Sequence, residues 1–265
     1  MQRALLAGAF STVFAASSAF AINTAISDTS NFSSGVIDTG FKHPSAALGG
    51  LNGDTGFGGL NPFNPSFSSN DIVKLDPGDE LTLHMAFPVT TVGKSLGIYS
   101  NNGIIDVGGG SGVAINPATT FNDPDFPRAI VSVSKDGTNF VSLNSGNPID
   151  FHNPTNYYTD SSISGYYEPL GSVAANQEKP FAGSLSDFSG LTYPQMLTLL
   201  NGSAGGDWLD LSSSGLPEVN YVRFDVPQGA DYSMVLDAVV AVPEPTMVLP
   251  LLIAASLIPR RNRKD

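Results

Sequence analysis

The chain has 265 residues, 41% hydrophobic and 14% charged, a balance that can build a packed core and excludes disorder by composition. Cys is absent, so disulfides, thiolate catalysis and Cys-based metal sites are excluded. The net charge is −12, and residues 22–242 carry seven Lys/Arg against 22 Asp/Glu; so acidic a body lacks the basic face that nucleic-acid binding needs.

The N-terminus reads MQRALLAGAFSTVFAASSAFA. Arg3 supplies a positive start, residues 4–16 are apolar or small, and Ala19-Phe20-Ala21 fits a small-x-small cleavage site. This is the pattern of a secretory signal peptide, read by the secretion machinery and cut by signal peptidase after Ala21. The apolar stretch is shorter than the roughly 20 residues of a spanning helix.

The expected body is residues 22–241. Residues 44–70 are rich in Gly, Asn and Ser, but Leu48, Leu51, Phe57, Leu60, Phe63 and Phe67 thread through them, which predicts an ordered loop. Strands are expected at 71–75 and 80–87, separated by a Pro77-Gly78 turn. In the second, Leu81, Leu83, Met85 and Phe87 alternate with Thr82, His84 and Ala86, so one face is buried. KSLGIYS and GIIDVG read as further strands. In RAIVSVSKDGTNFVSL, Asp136-Gly137 predicts a two-residue type I′ hairpin that sets Val133 opposite Phe140.

A helix is expected over 192–201, capped by Thr192, with Pro194 in the first turn, a Met196/Leu197/Leu200 stripe and Gly202 as terminator. NYVRFDVP and YSMVLDAVVAV close the pattern as strands. Many short strands with one helix predict an all-β antiparallel sandwich of jelly-roll type, flanked by an N-terminal signal helix and a short C-terminal apolar helix.

After the body, Val242-Pro243-Glu244-Pro245 leads into the apolar run 246–258, and Arg260, Arg261, Arg263 and Lys264 follow. The run is short for a permanent span, and Pro250 weakens it as a helix. An apolar segment followed by a basic cluster is the stop signal of an exported protein. Residues 242–264 resemble the PEP-CTERM sorting signal of Gram-negative bacteria, apart from the Pro inside the run and an ending that is not pure arginine. The resemblance implies a transient inner-membrane anchor, processing by an exosortase-type membrane transpeptidase, and a cell-envelope or extracellular destination.

A second resemblance covers roughly 129–241. VSVSKDGTNF, PFAGSL, SAGGDWLDLS, VNYVRFDV and VLDAVVAV resemble bacterial cell-surface proteins with a galactose-binding-like, discoidin-type jelly roll. It implies an adhesive or structural module that holds a structural Ca²⁺ and binds glycans in some members.

Candidate chemistry is sparse. His43, His84 and His152 have no metal-ligand spacing. Gly-x-Ser-x-Gly is absent, and GGGSG at 108–112 lacks the Lys-Ser/Thr of a phosphate loop. The carboxylate groups Asp123/Asp125, Asp207/Asp210 and Asp76/Asp79/Glu80 are what any acidic β protein offers. Ca²⁺ needs six to eight oxygens; Asp54, Asp207, Asp210 and Asp237 are the candidates, the last because it interrupts an apolar strand. Tyr157, Tyr158, Tyr166, Tyr167 and Trp208 lie in loop-like stretches where rings can stack on sugars. The leading expectation is a non-enzymatic envelope or matrix protein that binds extracellular polysaccharide; the alternative is a secreted polysaccharide-active hydrolase or lyase.

Overall fold

The computed structural model describes residues 22–32, 39–121, 127–162 and 170–242. The signal segment 1–21 with Ala19 and Ala21, the tail 243–265, Asp123, Asp125, Tyr166 and Tyr167 lie outside the described residues.

Ten strands form one antiparallel sheet curled on itself: β1 (Asn23–Asn31), β2 (Val73–Leu75), β3 (Glu80–Thr90), β4 (Lys94–Ser100), β5 (Arg128–Ser134), β6 (Val141–Ser142), β7 (Ile149–Asp150), β8 (Asp207–Asp210), β9 (Glu218–Asp225) and β10 (Met234–Ala241). Their order is β6-β5-β9-β3-β1-β10-β4-β8, with β2 added on β10 and β7 on β5. The curl is made by β1, which changes partners. Asn23 and Thr24 pair with Ala241 and Val240; from Ala25 to Asn31 the strand pairs with β3, with a bulge between Ala25 and Ser27. Bulges bend strands and increase their twist, so the chain crosses from one wall of the sandwich-like fold to the other here.

The core lies between those walls. Leu81, Leu83, Met85, Val131, Val133, Val222 and Phe224 face Leu96, Ile98, Leu236 and Val239 in one buried cluster. Period two on β3 and β9 places these residues inside, at about 1.5–3 kcal/mol per fully buried side chain. The other face of β4 and β10 is also covered. Leu51, Leu60, Tyr99, Ala175, Ala204, Ala238 and Val240 form a second cluster beneath the loops, which is why β10 is buried along its whole length. Trp208, Phe181, Phe188, Met196 and Leu200 form a third.

The single α-helix among the described residues, α1, spans Tyr193–Leu200. Thr192 and Gln195 make a reciprocal capping box, and Asn201 ends it in the left-handed conformation. Its buried face is Tyr193, Met196 and Leu200, so Tyr193 takes the place expected for the half-buried Leu197.

Three expectations are corrected. GIIDVG is not a strand; Ile104 and Asp106 make only isolated bridges to Thr120 and Ala114. Phe87 is 53% exposed, because β3 is irregular between His84 and Val89 and the alternation restarts at Val89. The hairpin has no two-residue turn: Val133 pairs with Val141. Gly137 has positive φ, but Asp136 does not. Instead, the Asp136 carboxylate accepts the N–H groups of Thr138 and Asn139, and Ser134 Oγ accepts those of Asp136 and Gly137. These side-chain caps stabilise a wider loop than a type I′ turn allows.

Candidate functional site

The ordered loop 44–70 lies on the outer face of β4 and β10. Asx-type contacts shape it: Asn61 Oδ1 accepts Phe63 N, and Asp54 Oδ1 accepts Gly56 N. Leu51 and Leu60 turn inward, whereas Phe57 is 54% exposed. The segment after β7 packs along this loop. Tyr157 N donates to the Leu60 carbonyl at 3.0 Å, and Ala175 N donates to the Tyr157 carbonyl. Tyr158 bridges to Ala174.

Tyr157 and Tyr158 thus stand side by side, ring centroids 4.8 Å apart and inclined at 69°. Both are half-buried. Gly53 backs them so closely that a Cβ there would lie 2.6 Å from Tyr157 Cδ1 and from the Tyr158 hydroxyl, so this glycine is required by contact. Burial first, then the neighbouring Tyr157 phenol and the charges of Asp54 and Asp160, raise the Tyr158 hydroxyl pKa. Asp160 is fixed by the N–H groups of Ser172 and Val173, and Val173 is itself exposed. Paired aromatic rings and flanking carboxylates form an amphipathic surface. Ring faces of this kind meet the C–H face of a sugar, while carboxylates accept its hydroxyls.

Trp208 does not belong to this surface. It is 6% exposed, its Nε1 donates to the Gly205 carbonyl at 3.0 Å, and its ring fills the space a side chain at Gly97 would occupy. It is a core residue on β8.

The four Asp candidates are not brought together, and among the described residues no three His, Asp or Glu side chains form a metal-binding group. Asp54 is exposed at its turn. Asp207 and Asp210 sit three apart on β8, hence on opposite faces. Asp210 caps the turn Leu211–Ser214 by accepting Ser212 N at 2.8 Å. Asp207 accepts Asn153 N at 3.1 Å; burial pushes its carboxyl up to about 8, only partly offset by that N–H and by Lys94. Asp237 is buried on β10 and accepts Ser66 Oγ at 2.6 Å. Burial pushes it up to about 7, against the lowering effect of the Ser66 hydroxyl. The raised pKa, which favours the uncharged carboxyl, and the Ser66 hydroxyl both lessen the cost of burying it.

Other candidates also have structural partners. Lys42 Nζ donates to Asp76 at 2.6 Å and to Asp79, pinning the 3-10 turn at Thr39–Phe41 to the β2–β3 connection. The GGGSG loop closes around its own anion: Asp106 accepts the N–H groups of Gly110, Gly112 and Val113 at 2.7–3.1 Å. Those N–H groups outweigh burial and hold its pKa low. The Gly110 and Gly112 amides are thereby turned onto the protein's own carboxylate.

Sequence reasoning missed a second aromatic arrangement, on the open face of β3 and β9. His84 stacks on Tyr221 at 4.6 Å, and the Arg223 guanidinium lies 3.8 Å from the centre of the Phe140 ring. Arg223 also reaches Thr82 and Glu80. The signal was available, since His84 and Tyr221 are directly opposite once β3 and β9 are paired. His43 and His152 lie elsewhere, the latter near Asn102 and Asp150.

No protein-family model matches the chain, and no curated protein matches it significantly.

Proposed function

We propose that this protein is an exported, non-enzymatic component of the cell envelope or extracellular matrix, sorted through its PEP-CTERM-like tail and binding extracellular polysaccharide. The observation that carries this reading is the position of the fold's two ends. β1 starts at Asn23, two residues after the expected cleavage at Ala21, and pairs with Ala241, two residues before Pro243. Removing a signal peptide or processing a tail at Pro-Glu-Pro would leave every described hydrogen bond of the body in place. The resemblance to discoidin-type jelly rolls is consistent with the curled antiparallel sheet, and the Tyr157/Tyr158 surface is the proposed glycan contact.

The test has two arms. Deleting residues 243–265 releases the protein from the membrane fraction of an expressing Gram-negative cell; unchanged partitioning counts against the anchor. On an array of bacterial exopolysaccharides, the body binds, and Tyr158→Ala abolishes binding while remaining folded with a cooperative melt. Equal binding by Tyr158→Ala removes this surface from the proposal.

A further inference from the structure

Three exposed apolar side chains lie at the end of the sandwich where the chain leaves the fold. Val92, in the turn between β3 and β4, is 83% exposed; Phe87 is 53% and Ile22 is 42% exposed. Hydrogen bonds of adjoining residues bring their segments together. The Asn23 amide bonds both the N–H and the carbonyl of Phe87, which places Phe87 across β1 from Ala241. Val242 N donates to the Ser95 carbonyl at 3.0 Å, and Ser95 Oγ donates to the Thr90 carbonyl at 2.6 Å. The turn carrying Val92 therefore closes directly over the point where the chain leaves the fold. Pro88 extends the exposed strip beside Phe87.

We infer that this end is a membrane-facing surface, and that Ile22, Phe87 and Val92 rest in the interfacial region of a lipid bilayer while the tail is anchored. The occupant follows from where the chain goes. Residues 246–258 are the apolar run, and only Pro243, Glu244 and Pro245 separate it from Val242. Three residues span at most about 10 Å, so an inserted tail holds this end of the body at headgroup depth, where exposed apolar side chains are favoured. The far end of the sandwich carries Gln228 and Gly229 in an exposed turn.

This orientation rests on the tail being membrane-inserted, as proposed above, and the test separates the two. The natural chain has no Cys, so single Cys variants at Val92, Gln228 and Ala254 of the otherwise full-length protein can each carry an environment-sensitive dye. They are reconstituted into vesicles of phosphatidylethanolamine and phosphatidylglycerol. The expected result is a blue shift and loss of emission to a lipid-borne quencher at 92 and 254, with neither at 228. Insertion at 254 with a water-exposed signal at 92 overturns the membrane-facing surface and leaves the anchor standing. No insertion at 254 overturns the anchor and the surface with it. A blue shift at 92 in detergent-free buffer without vesicles assigns the patch to a second copy and also overturns it.

Discussion

Asn23 and Ala241 are direct cross-strand partners, so β1 and β10 join the two halves of the curled sheet. Asn23 does more than pair. It is 2% exposed, and its side chain spans β1 to β3 by accepting Phe87 N at 3.0 Å and donating to the Phe87 carbonyl at 3.2 Å. This amide substitutes for the ladder where β1 has left β3 to join β10.

Asn23→Ala removes both bonds and leaves a small void at that junction. The expected loss is about 1–3 kcal/mol, measured by urea unfolding as a lower midpoint at unchanged slope. An unchanged midpoint would show that the strand exchange does not depend on this side chain.

Buried carboxyls set a pH dependence. Asp237 and Asp207 have folded pKa values of about 7 and about 8, above the ordinary Asp value near 3.9. Between those limits the folded state binds more protons than the unfolded state. Their contribution to stability is therefore complete below about pH 4 and is lost as pH rises through 7 and 8, by about 1.4 kcal/mol per group per pH unit at most. Asp237→Asn keeps an acceptor for Ser66 and removes one titration. Its melting temperature should fall less between pH 5 and pH 8 than that of the natural protein; parallel curves would contradict the buried-carboxyl reading.

Trp208 and Tyr158 should separate stability from binding. Trp208→Ala empties a packed site over Gly97 and is expected to cost about 3–5 kcal/mol. Tyr158→Ala, at a half-buried surface ring, should cost about 1 kcal/mol. Thermal melts of both variants test this, and a greater loss in Tyr158→Ala would reverse the assignment of core and surface.

The same residues show what could be read beforehand. β3, β9 and β10 were legible because their apolar alternation or continuous apolar run survives in the fold, and α1 because Thr192, Pro194 and Gly202 act locally. β1 was not legible: NTAISDTSN has little apolar periodicity and exists because it is paired on both sides. The register at Asp136-Gly137 failed because an aspartate side chain capped a wider loop in place of a positive φ. Trp208 looked like a loop residue because β8 is only four residues long. Asp207 and Asp210 looked like a pair, but strand geometry points them apart. The Tyr157–Tyr158 pair was visible as two adjacent rings, whereas their backing by Gly53 is a contact across more than a hundred residues.

The central claim is that the chain is exported and that the fold begins where the signal ends. The most direct measurement is the N-terminal sequence and intact mass of the protein recovered from the envelope and medium of an expressing Gram-negative cell. The account predicts a mature chain starting at Ile22. A full-length chain retaining residues 1–21, confined to the cytosolic fraction, would contradict it.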